Sequence, residues 1–164
     1  MSQRTVTSTG ENLLHWYDRH QRDLPWRRRQ DPYSIWVSEI MLQQTQVETV
    51  MPYYERFLDR FPSVETLAMA EIEEILGYWS GLGYYRRARL MHRAAQQIAG
   101  SGEGFPNSLE GLVALPGVGK YTAAAVGSIA FGIAEPAIDG NIERVVGRCI
   151  GLAGDPRRAG SRQK

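Results

Sequence analysis

Helix-start signals recur along this chain at short intervals, and no segment alternates as a half-buried strand would. Ser8-Thr9-Gly10-Glu11 reads as a capping box, with Leu13, Leu14, Trp16 and Tyr17 behind it in a helix over 11–20. Asp31-Pro32 offers an N-cap followed by proline at the first helical position. Tyr33, Trp36, Val37, Ile40 and Met41 continue at helical period. Thr45-Gln46-Val47-Glu48 is a second capping box. Val47, Val50, Met51, Tyr54, Phe57 and Leu58 then mark one buried face, and Pro52 either kinks that helix or sits in its first turns. Short helices follow over 64–69 and 71–79. A longer one over 85–99 turns Ala88, Met91, Ala95 and Ile98 inward. Asn107 or Ser108 caps another that ends at Ala114, and the last two cover 120–131 and 140–150. The expected fold is all-α, with about nine short helices on short loops.

Composition narrows the class. Hydrophobic residues make up 43% of the chain, enough for a core. No apolar run approaches the ~20 residues that span a bilayer, and the N-terminus lacks the apolar stretch of a signal peptide. These readings point to a protein that is not secreted and has no membrane partner. The single cysteine, Cys149, allows neither an internal disulfide nor a four-cysteine site. His15, His20 and His92 lack zinc spacing, so no metal ligands are expected. The net charge of +1 is small for a nucleic-acid binder. Local basic clusters exist at Arg27-Arg28-Arg29 and at Arg86-Arg87-Arg89 with Arg93, and their plainest reading is a solvated helix face. After Cys149 the composition turns polar and arginine-rich, as in a disordered tail over 151–164.

The segment with most chemistry is 115–141. Leu115-Pro116-Gly117-Val118-Gly119 is a glycine hairpin that feeds straight into the helix beginning Lys120-Tyr121-Thr122. Free N–H groups and the positive dipole end of that helix suit a phosphate, without any basic side chain. Such a contact positions a duplex and reads no sequence. The plainer alternative is an ordinary helix–helix turn.

Leu-Pro-Gly-Val-Gly-x-x-Thr-Ala, followed by a loop and an aspartate opening a helix, resembles the helix-hairpin-helix DNA glycosylases. Leu24-Pro25-Trp26-Arg27, the run from Asp31 to Val47, Gly81-Leu82-Gly83-Tyr84-Tyr85-Arg86-Arg87-Ala88 and Ile138-Asp139-Gly140-Asn141 resemble the adenine glycosylase branch of that superfamily. The likeness covers roughly residues 11–150, in order and spacing. It implies a six-helix barrel over 25–136, with the helix-hairpin-helix at 108–131. It also implies an incomplete second helical domain, to which residues 1–24 and 137–150 belong.

Cleavage of a glycosidic bond passes through an oxocarbenium-like state, and generally needs an acid for the leaving group and a carboxylate for the cation. Glu39, among Val37, Ile40, Met41 and Leu42, is placed for partial burial and a raised pKa. Asp139 opens a helix whose N–H groups and dipole favour its ionised form. Each has a plainer reading: Asp139 as an N-cap only, Glu39 as an exposed helical glutamate. The resemblance assigns Glu39 to protonating adenine and helping to activate water, and Asp139 to stabilising the sugar cation. By the same likeness Asn141 bonds the catalytic water and carboxylate, and Tyr121 helps hold Asp139 and the cation. Bifunctional relatives carry a lysine nucleophile where this chain has Tyr121. Lys120 stands one residue earlier, about 100° around the helix, so hydrolysis by water is expected.

A glycosylase must extrude its target nucleotide and fill the gap. The resemblance implies intercalation by Tyr84 and by the glutamine of Gln43-Gln44, with Leu42 on the same loop. It implies DNA contact along Leu115, Gly117, Val118, Gly119, Lys120 and Thr122, and a base pocket lined by Trp26 and Arg27. The expected partner is double-stranded DNA with adenine opposite 8-oxoguanine or guanine, bound by a monomer in the bacterial cytoplasm at the nucleoid, or in a nucleus. Adenine glycosylases also carry a 4Fe-4S cluster on four cysteines and a C-terminal domain that reads 8-oxoguanine. This chain has neither, so no cofactor is expected, and a truncated or frame-disrupted reading frame, or a deliberate fragment, is the expectation for its ending. A lyase acting on pyrimidine lesions, disfavoured by Tyr121, and a catalytically dead DNA-binding remnant are the alternatives.

Overall fold

The computed structural model describes residues 2–152, and the expected tail lies outside the described residues from 153 onward. The described residues are helical with no strand: α1 (Ser2–His20), a 3-10 turn at Pro25–Arg27, α2 (Pro32–Leu42), α3 (Val47–Arg60), α4 (Val64–Met69), α5 (Ile72–Trp79), α6 (Arg86–Ser101), α7 (Leu109–Val113), α8 (Lys120–Phe131) and α9 (Gly140–Cys149).

Several starts follow from the caps read in the sequence. Asp31 accepts from the Ser34 amide at 2.8 Å, with Pro32 at the first position of α2. Ser108 caps α7 through the amide of Gly111, and Ser63, beyond the caps expected, caps α4 through that of Thr66. Two expected capping boxes are not used. Helix α1 begins at Ser2, so Ser8–Glu11 lies inside it; a glycine such as Gly10 costs a helix only about 1 kcal/mol against alanine and need not end it. Helix α3 starts at Val47 on Gln46, with no side-chain cap, because the Thr45 hydroxyl accepts instead from Arg87 Nη2 at 3.0 Å. Pro52 falls in the second turn of α3, where it removes the donor that would face the Glu48 carbonyl.

Helix α2 is the centre of the molecule. It packs on α3, α6 and α8 and is buried on every side, as expected for a helix that is apolar all round. Trp36, Val37 and Met41 have no exposure, and Phe57, Phe61 and Trp79 form an aromatic cluster in the same core, with ring centroids 4.8 Å apart for Phe57–Phe61 and 6.1 Å for Phe57–Trp79. Helix α8 reaches α2 through small residues: Thr122, Ala123, Ala124, Ala125, Val126 and Gly127 are all buried. By contrast α9 buries only Gly147 and leaves Ile142, Val145 and Val146 exposed, as is Ile150 just past its end, and α1 leaves Leu13, Leu14 and Trp16 exposed.

Candidate active site and nucleic-acid interface

Glu39 is the only charged residue of α2, and folding alone gives no reason for one there. It lies at the wall of a cavity of about 430 Å³. Burial pushes its carboxyl up from 4.5 to about 7, so much of it is protonated at neutral pH. Trp26 and Arg27 line the same cavity, together with Tyr17, Arg22, Leu24, Leu42 and Val47. Trp26 packs edge-on to Tyr54 at 5.5 Å. The Arg27 guanidinium sits 5.2 Å from the Tyr17 ring and donates to the Arg22 carbonyl at 3.1 Å. The sequence pattern singled out Trp26 and Arg27 but not Arg22, Leu24 or Val47. Arg22 and Leu24 adjoin Trp26 and Arg27 in the chain, and only the fold brings Val47 to them.

Asp139 is the N-cap of α9. Its Oδ1 accepts from the amides of Asn141 at 3.0 Å and Ile142 at 2.8 Å, and its Oδ2 accepts from Asn141 Nδ2 at 3.1 Å. The plainer reading of Asp139 therefore holds as geometry, and it fixes the carboxylate by three donors. Asn141 Oδ1 in turn accepts from Arg144 Nη2 at 3.1 Å. Tyr121, on the first turn of α8, is 40% exposed. Its phenol is pushed up by burial first, then by the charges of Glu39 and Asp139. Tyr121 thus feels both carboxylates, while neither Tyr121 nor Asp139 lines the cavity at Glu39.

The hairpin needs glycine at 117. Its φ is +79°, and a Cβ there would come within 2.8 Å of Leu90 Cβ. Gly119 is the N-cap of α8 and supplies no side-chain cap, so the amides of the first turn face outward without an intrahelical acceptor. Lys120 is exposed beside them. Three expected DNA contacts differ in kind. The side chains of Leu115 and Val118 are buried in the core, which leaves only their backbone for a ligand. Thr122 is buried as well, and its hydroxyl accepts from Gln43 Nε2 at 3.2 Å. The cause is helical phase: Thr122 shares the face of α8 that meets α2.

Leu42 is not in the loop after α2 but is its last residue, and it turns toward the cavity. Gln43 is half-buried by its bond to Thr122, while Gln44 is exposed with φ +58°. Tyr84 is 60% exposed with φ +48°. These two are the non-glycine residues with positive φ among the described residues, and such conformations cluster at functional sites. Arg87 departs most from the sequence reading. It is buried, not part of a solvated basic face, and its guanidinium lies beneath both of those loops.

Residues 37–164 match the HhH-GPD superfamily of base excision DNA repair proteins. The chain belongs to that superfamily. Among curated relatives, it is 42% identical over 171 residues to an adenine DNA glycosylase of Arabidopsis thaliana, covering 88% of this chain and 27% of the relative. It is 45% identical over 161 residues to that of Homo sapiens, covering 92% and 30%. It is 47% identical over 138 residues to that of Buchnera aphidicola subsp. Baizongia pistaciae (strain Bp), covering 83% and 39%. The chain thus spans well under half the length of these relatives. Among solved structures, a thermostable thymine-DNA glycosylase matches with a TM-score of 0.80 at 31% identity, over 85% of this chain and 65% of that one. A trapped endonuclease III–DNA covalent intermediate shares the fold with a TM-score of 0.74 at 21% identity, over 88% and 68%.

Proposed function

We propose that this HhH-GPD chain is a monofunctional DNA glycosylase that hydrolyses the N-glycosidic bond of adenine in duplex DNA, opposite 8-oxoguanine or guanine. The observation that carries the proposal is Glu39: a carboxyl with a pKa near 7 at the wall of a cavity large enough for a base, in the most buried helix of the fold. Likeness to adenine DNA glycosylases at 42–47% identity supports the choice of base.

In this reading Glu39 donates its proton to the departing adenine, which lies between Trp26 and Arg27. Loss of the base leaves an oxocarbenium-like sugar, and the Asp139 carboxylate stabilises its positive charge. Asn141 fixes the carboxylate through Oδ2. Glu39, now ionised, takes a proton from the water that attacks the sugar, and so returns to its starting form. Tyr121 stands where a lyase would need its lysine, so no Schiff base forms. The outward amides around Gly117–Lys120 hold a backbone phosphate, and Gln44 and Tyr84 enter the base stack from their loops. An iron–sulfur cluster on four thiolates does not fit the residues of this chain, which has one cysteine, Cys149. We propose that residues 1–164 bind no cofactor themselves and act on DNA as a monomer, wherever the cell keeps its DNA.

The test is incubation of the purified chain with duplex DNA carrying adenine opposite 8-oxoguanine, with and without alkali and with borohydride. Strand cleavage that appears only after alkali is the expected result. A borohydride-trapped adduct points to a lyase, and binding without cleavage to a DNA-binding role alone; either overturns the proposal.

A further inference from the structure

Arg87 is a buried cation for which no carboxylate partner occurs among the ion pairs of the described residues. Its partners are almost all main-chain carbonyls. Nη1 donates to Ile40 O at 3.1 Å, to Met41 O at 2.8 Å and to Gln43 O. Nη2 donates to Thr45 Oγ1 at 3.0 Å and to Leu82 O and Gly83 O, both at 3.2 Å. The first two carbonyls are at the C-terminal end of α2, where the helix dipole favours a cation. The ring faces of Trp79 and Tyr84 each lie 5.4 Å from the guanidinium carbon.

The pattern of acceptors is informative. Gln43 O belongs to the peptide that precedes Gln44, and Gly83 O to the peptide that precedes Tyr84. Rotation of those two peptides sets φ at the two non-glycine residues held in the left-handed region. Strained backbone of this kind persists only where its surroundings over-determine it. Here one planar guanidinium determines both peptides, and it ties them to the helix that carries Glu39. A lysine has the charge but not the fork needed to hold two loops at once.

We propose that Arg87 is a positioning residue: it sets Gln44 and Tyr84 relative to Glu39, so that both side chains enter the duplex in register with proton donation to the extruded base. This rests on the proposed glycosylase reading. Arg87 touches no reacting atom and acts through the two loops. Holding groups in reacting geometry is where such a device contributes to rate, more than to overall binding.

The test uses the whole chain with Arg87→Lys, Arg87→Met and Thr45→Val. Thr45→Val removes one loop-side acceptor and spares the buried cation, so it still reports if Arg87→Met fails to fold. Amide hydrogen exchange on the free protein should accelerate at 43–46 and 82–85 together in both Arg87 variants, by roughly tenfold or more, while α4 and α5 exchange as in the parent. Thr45→Val should loosen 43–46 alone. Single-turnover excision should fall at least about tenfold in Arg87→Lys, with the Kd for undamaged duplex within about twofold. Parent-like exchange in both loops would overturn the clamp. Loosened loops with an unchanged excision rate would overturn its positioning role. A parent chain that excises nothing would instead overturn the glycosylase reading, and the exchange data would then decide the clamp by themselves.

Discussion

Replacing Glu39 by glutamine should make this protein more stable, by an amount that grows with pH. The carboxyl has a folded-state pKa of about 7 against 4.5 for the free group, and burial is the cause. Below pH 4.5 both folded and unfolded chains hold the proton, and Glu39 carries no ionisation penalty. As pH rises through 4.5 the unfolded chain ionises while the folded one does not, so stability falls until the folded carboxyl ionises near 7. At 1.36 kcal/mol per pH unit, the gap is worth roughly 3 kcal/mol. Glu39 is only partly buried, so this is an upper bound. Glutamine keeps the shape and the neutral charge of the protonated acid and removes the penalty. Urea unfolding followed by tryptophan fluorescence at pH 5, 6, 7 and 8 checks it. The expected advantage of Glu39→Gln is under about 1 kcal/mol at pH 5 and roughly 2–3 kcal/mol at pH 8. A variant that is no more stable than the parent at pH 8, or an advantage that does not change with pH, would mean that Glu39 does not sit in a low-dielectric site. Such a cost is what a chain tolerates at a working carboxylate and nowhere else in its core.

The same carboxyl sets a pH dependence for the reaction. With Glu39 as the proposed proton donor, single-turnover adenine excision should decline above about pH 7, approaching tenfold per pH unit, as its carboxyl ionises; a pH–rate profile extended to pH 9 checks this. Asn141→Leu removes the donor to Asp139 Oδ2 and should lower excision by roughly one to two orders of magnitude, with duplex affinity nearly unchanged in a gel-shift titration. Gly117→Ala meets both a positive φ and Leu90, and should cost about 1–3 kcal/mol in urea unfolding and weaken binding to undamaged duplex.

Much of the fold could be read from local signals. Asp31, Ser63 and Ser108 are short polar side chains directly ahead of apolar runs, and each caps the helix it introduces. The helix boundaries failed where a local motif met a stronger competitor. Thr45 gives its hydroxyl to Arg87 rather than to α3, and the box at Ser8–Glu11 is overrun by α1. Glu39 could be read as a partly buried acid because its neighbours are apolar on all sides. The rest of its cavity could not, because Tyr17 and Val47 reach it from helices with no shared period. Arg87 was legible in principle. It falls on the stripe of Met91, Ala94 and Ile98 on α6, all buried, yet its neighbours Arg86 and Arg89 made the cluster look solvated. A charge on an apolar stripe is a better sign of a buried clamp than the size of the cluster around it. The exposure of Gln44, against the half-burial of Gln43 and the burial of Thr122, is decided by pairing across the α2–α8 contact, and no single-segment pattern reports that.

Removal of adenine by hydrolysis, with Glu39 as the proposed proton donor, can be followed through its two products. Mass spectrometry of a single-turnover reaction on duplex DNA with adenine opposite 8-oxoguanine tests it most directly. The parent at pH 7 should yield one equivalent of free adenine and an intact abasic strand, and Glu39→Gln none of either although that variant is folded and still binds the duplex. Adenine released at the parent rate by Glu39→Gln would contradict it.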